Sequence, residues 1–94
     1  MPTTKAEIAT AHASRYLQQL CKHFAHKLPV TFDPTRGRIE FPLGICELVA
    51  STGLLTMQTE AGDETRLAEV EMVVARHLER FAFREDLKVE WGQA

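Results

Sequence analysis

His23 and His26 stand three residues apart, so on a helix both rings reach one point beside it. The same spacing occurs in metal sites built inside helical bundles. Zn²⁺ normally takes about three or four protein ligands, and His77 is the candidate that could complete a His23, His26, His77 set. Cys21 and His23 are two apart and point to nearly opposite sides of a helix, so they cannot share an ion. A second chemistry is anion binding, with Tyr16, His23, Lys27, Arg36, Arg38, His77 and Arg80 as candidate ligand residues. Arginine forks and lysine point charges suit phosphate or a carboxylate-rich ligand. Against both stand ordinary structural roles. A histidine on the shoulder of an amphipathic helix bonds a carbonyl or carboxylate. Lys27, Arg36, Arg38, Arg80 and Arg84 pair weakly with Asp33, Glu40, Glu79 and Glu85 in solvent.

Signatures of catalysis are thin. The chain carries no Gly-rich phosphate loop, no nucleophile-elbow serine and no zinc-protease helix motif. Tyr16, His23 and Lys27 have the side chains for acid–base work, but nothing in the sequence places a substrate beside them. No cofactor is assigned on these grounds, and a binding role is favoured over an enzyme. Net charge is −2, where a nucleic-acid binder would show a basic excess. No apolar run reaches membrane-spanning length and Met1–Lys5 resembles no signal peptide, so a cytoplasmic location is expected, without a membrane partner. The two cysteines are then expected as thiols.

The elements that must hold these residues follow from hydrophobic spacing. Ninety-four residues make one domain, 1–94. Lys5–Thr10 reads as a strand with Ala6 and Ile8 inward. His12–Leu28 reads as a helix with a stripe of Ala13, Leu17, Leu20, Cys21, Phe24 and Leu28, ended by Pro29. Tyr16, His23 and Lys27 line one flank of it. Val30–Asp33, Arg38–Phe41, Ile45–Ala50 and Leu54–Thr59 read as strands joined by short turns, of which Asp33–Gly37 has proline and glycine for its bend. An antiparallel meander is the simplest pairing. Asp63 or Thr65 caps a second helix whose stripe is Leu67, Val70, Val74, Leu78 and Phe81. Leu87–Trp91 alternates and reads as a last strand. The order β-α-β-β-β-β-α-β implies an α+β two-layer sandwich, an antiparallel sheet with both helices on one face. Thr31, Asp33, Arg38, Glu40, Glu47, Thr56, Gln58, Lys88 and Glu90 should populate the other. If the helices are antiparallel neighbours, their flanks either gather Tyr16, His23, His77 and Arg80 around one cleft, with His26 and Lys27 at the rim, or face away from each other.

Three segments resemble a known family: Tyr16–Lys27, Gly37–Pro42, and His77–Glu85, which reads His-Leu-Glu-Arg-Phe-Ala-Phe-Arg-Glu. They are similar to the signature of bacterial domain of unknown function 2218, and the likeness covers nearly the whole chain. The resemblance implies a fold of the TATA-binding-protein-like group, as in the phosphohexomutase C-terminal domain. It also implies proximity to iron handling, because some members are fused to, or encoded beside, siderophore-interacting flavoreductases. A reductase of that kind or a small anionic ligand is the partner it suggests. The family supplies no catalytic residue to carry over. A homodimeric interaction protein, joined through a sheet edge or the helical layer, is a further alternative, and oligomeric state is left open.

Overall fold

The computed structural model describes residues 2–93, and its elements run in the expected order. They are β1 (Thr3–Ala9), α1 (Ala13–Ala25), β2 (Val30–Phe32), β3 (Arg36–Glu40), β4 (Gly44–Ser51), β5 (Leu54–Ala61), α2 (Glu64–Phe81) and β6 (Gly92–Gln93). The sheet order is β2-β3-β4-β5-β1-β6, and each neighbouring pair is antiparallel. The four middle strands therefore form the expected meander. α1 carries the chain from β1 to the far edge, and α2 returns it beside β1.

Alternation along the strands decides which face is buried. Ala6 and Ile8 stand opposite Met57 and Leu55, and Leu48 stands between Met57 and Gly37. These point inward, toward Leu17, Leu20, Cys21 and Phe24 of α1 and Val70, Val74 and Leu78 of α2, in one core. Each large aliphatic side chain so buried contributes about 1.5–3 kcal/mol. A fully buried hydroxyl deep in this layer is satisfied: Thr59 Oγ1 lies 2.6 Å from Thr4 Oγ1, which donates to Glu71 Oε2 of α2 at 2.5 Å. That relay ties α2 to the sheet. The outward face carries Arg38, Glu40, Glu47 and Gln58, all exposed, with Thr56 half-buried among them.

Asp63, not Thr65, caps α2, accepting from Arg66 N at 2.8 Å. Asp63→Ala should lower stability by about 1 kcal/mol, the usual value of such a cap, with thermal denaturation as the measure. α1 has no side-chain cap at His12 and ends at Ala25, with Lys27 and Leu28 amides both turning back to the Phe24 carbonyl ahead of Pro29.

Two expectations need correction. The turn after β2 closes earlier than proline and glycine suggest. Asp33 Oδ1 accepts from Thr35 N and Arg36 N, both at 2.8 Å, so the bend is complete by Arg36. Gly37 then lies inside β3, and the described residue with positive φ is Gly53 at 75°. Second, Leu87–Trp91 is not a strand. Its alternation is real, since Leu87, Val89 and Trp91 are half-buried against the core and Lys88 and Glu90 are exposed. Its main chain does not join the ladder until Gly92 and Gln93 face Lys5 and Thr4. From Glu85, bonded to Thr10, to Gln93 the tail takes eight steps where β1 takes six, so no regular register fits. Lys88 and Glu90 consequently lie off the sheet face.

Candidate functional site

The C-terminal half of α1 meets α2 through rings. His23 lies 4.8 Å from His77 between centroids, tilted 44°, and 5.7 Å from Phe81. Phe24 lies 4.8 Å from His77 and 5.0 Å from Phe41, which leaves β3 just before Pro42. The helix flanks therefore face each other at this end. Contacts run in opposite senses along the two helices, His23 with His77 and Tyr16 with Glu85 beyond α2, as antiparallel neighbours require.

His77 Nδ1 is 2.7 Å from the Val73 carbonyl, an acceptor, so Nδ1 carries the hydrogen and donates. In that tautomer the lone pair is on Nε2. His23 is held below the usual imidazole pKa, first by burial of its ring wall, then by His77, His26, Arg80 and Lys27. Each of the charged neighbours in that set is cationic, and no carboxylate offsets them. Beside these rings opens a cavity of about 350 Å³ lined by His23, Phe24, His26, Lys27, Leu28 and Phe41. Its walls are aromatic and aliphatic, and its rim is basic. Among the described residues, ion pairs within 4.0 Å are Arg38–Glu47 and Arg66–Asp63, so neither Lys27 nor Arg80 has such a carboxylate partner.

The other candidate ligand residues go elsewhere. Tyr16 is buried two turns earlier on α1, where its hydroxyl donates to Glu85 Oε2 and Thr10 Oγ1 donates to Glu85 Oε1 at 2.9 Å. Burial and the adjacent carboxylate push the Tyr16 phenol up, while the Tyr16 hydroxyl, with Thr10 adding to it, holds the Glu85 carboxyl below its usual range. Tyr16 thus clamps the C-terminal tail rather than lining the histidine cleft. Arg36 and Arg38 lie in a groove of about 340 Å³ with Thr31, Asp33, Glu47 and Val49. Arg38 pairs with Glu47 at 3.5 Å there, which cancels part of its charge. The seven candidates accordingly divide among three places, and His23, His77, Lys27 and Arg80 are the group that stays together.

As for a metal, His23 and His77 approach and His26 borders the same cavity. Among the described residues no three His, Cys, Asp or Glu side chains gather in a geometry able to hold an ion. Both cysteines are fully buried and unbonded. Burial pushes the Cys21 thiol up to about 11 and Cys46 up as well, so both stay protonated at neutral pH and neither is a ready nucleophile. Sequence reasoning missed the aromatic floor. Phe24 reads as core and Phe41 as sheet, and only the loop after β3 brings the second ring onto the first.

The architecture is a two-layer α+β domain with one helical face and one open, charged face. The chain belongs to the bacterial family described as "Uncharacterized protein conserved in bacteria (DUF2218)", whose family model matches residues 5–92. It is similar to PA4090 from Pseudomonas aeruginosa, whose NMR structure superposes with a TM-score of 0.83 at 39% sequence identity. That match covers 98% of this chain and 96% of the other. No curated protein matches it. No helix among the described residues is long and apolar enough to cross a membrane.

Proposed function

We propose that this chain is a small cytoplasmic accessory module of siderophore and iron metabolism that holds an anionic ligand in the histidine cleft. The observation that carries the reading is the uncompensated charge: His23 is surrounded by His26, Lys27, His77 and Arg80 with no carboxylate among them. Like charges held together oppose one another, and an arriving anion relieves that opposition. The apolar floor of Phe24, Leu28 and Phe41 adds contact area for a ligand with an organic body. The iron link is motivated by the family resemblance, which implies that some members are fused to, or encoded beside, siderophore-interacting flavoreductases. Such a reductase is the protein to which the module would deliver, or from which it would receive, its ligand.

Amide spectra of the labelled protein, titrated with ferric siderophores and with a siderophore-interacting reductase, test this. Shifts should cluster at His23, Lys27, Leu28, Phe41 and His77, and Lys27→Glu should weaken them by roughly tenfold, the scale of one charge-assisted contact. Silence across both titrations at high concentration would falsify the reading.

A further inference from the structure

The cleft also shows what kind of anion it fits and what accompanies it. A cavity of about 350 Å³ is at the small end of ligand sites, large enough for a single ring and too small for an entire multidentate chelator. Phe24 and Phe41 meet edge to face, 5.0 Å apart at 74°, and present ring surfaces to whatever enters. The charged groups lining the cleft are His23, His26 and Lys27 from α1 and its final turn, while His77 and Arg80 of α2 stand behind them as cationic neighbours of His23. The loop after β3 contributes Phe41, which carries no charge. Two imidazoles 4.8 Å apart cannot both be charged cheaply while the site is empty.

We infer that the His23–His77 pair is a proton-taking receptor for a flat aromatic carboxylate, one arm of a larger ligand or a free aryl acid. The aromatic body packs on Phe24 and Phe41, and the carboxylate lies against the His23 imidazole and Lys27. On binding, one proton passes from solvent to the pair, so the site gains one positive charge as it gains one negative charge. The bond from His77 Nδ1 to the Val73 carbonyl fixes the His77 ring beside His23. The deduction rests on the anion-binding reading above and adds the ligand class and the proton. Its sign follows from linkage. The bound state holds more protons than the free state, so affinity rises as pH falls, by at most about tenfold per pH unit for one proton.

Calorimetry of the full chain with sodium benzoate, between about pH 8 and pH 5.5 around the imidazole range, is the test. Affinity should increase severalfold per unit, and buffers of different ionisation heat should report uptake of about one proton. Acetate, which lacks the ring, and benzyl alcohol, which lacks the charge, should each bind at least roughly tenfold more weakly. His77→Asn keeps an amide donor for the Val73 carbonyl but cannot take charge, so it should bind benzoate with a flattened pH profile. His23→Gln at the exposed side of the pair should do the same, with an unchanged amide spectrum showing that the fold is intact. Benzoate affinity that is level across the range would overturn the proton coupling and leave anion binding standing. No benzoate binding, while siderophores still shift the cleft, would overturn the ligand class alone. Absence of both would remove the site.

Discussion

Gly37→Ala should destabilise the protein by about 1–3 kcal/mol, the usual cost of overpacking a filled core. A Cβ at this position would sit 2.6 Å from Cys21 Sγ and 3.3 Å from Leu17 Cδ2, both fully buried. Replacing glycine by alanine also restricts the unfolded chain, which favours folding by about 0.4–1 kcal/mol. The clash is the larger effect, because carbon and sulfur at that separation must move and the core around them is full. The sign of the explanation is testable by removing the sulfur. In the Cys21→Ala background, Gly37→Ala should cost much less, and the double-mutant cycle in urea denaturation should show coupling of about 1 kcal/mol or more. Additive effects would mean that Sγ is not what Gly37 avoids. Gly44 offers a contrast. A Cβ there would lie 2.3 Å from the Glu60 carbonyl on the facing strand, and no side-chain deletion relieves a clash with backbone.

Tyr16→Phe should release the tail without unfolding the domain. The Tyr16 and Thr10 hydroxyls both donate to Glu85, and this is where the segment after α2 is fastened to the start of α1. Losing the bond to a carboxylate should speed amide exchange across residues 82–93 by roughly tenfold or more, with the β3–β5 amides unchanged. Uniform acceleration would show that the tail is part of the cooperative core. The pH dependence is worked out from the same bond. Glu85 is held below its ordinary pKa, so the contribution is complete above the ordinary glutamate value of about 4.3 and fades as pH falls through the lowered one. Tyr16 is held above its ordinary pKa, so at the alkaline end the contribution is complete below about pH 10 and fades as pH rises through the raised value. The variant should lose the alkaline limb and keep only the part of the acid limb that Thr10 supplies.

Much of the fold is legible in the chain because the spacings are unambiguous. The stripes Leu17-Leu20-Cys21-Phe24 and Leu67-Val70-Val74-Leu78 are the buried faces of α1 and α2, and Leu55 and Met57 point inward as alternation requires. The errors arise where local pattern and long-range pairing part company. Leu87, Val89 and Trp91 do alternate, but a strand also needs a partner in register, and the anchor at Glu85 denies them one. Gly37 looks like a turn residue from its neighbours, yet its reason is a sulfur atom sixteen positions earlier. For the site, helix periodicity put His23 and His77 on matching flanks but left open whether those flanks meet, and the packing of the helices is what brings the two rings together. It could not separate Tyr16 from them, because a flank is defined by angle about the axis and not by distance along it. Nor could it anticipate that Glu85 would capture the phenol, since that contact depends on where the chain turns after α2.

The two outermost strands are brief, three residues in β2 and two in β6. A growing fibril needs a long, straight run of unpaired amides to copy, and stubs of this length supply very few. The long strands β4 and β5, which would be hazardous if bare, are shielded on both sides by neighbours. The protein can therefore leave a whole sheet face open to water, patterned with charge, without inviting other chains to extend it. That leaves self-association by sheet growth disfavoured.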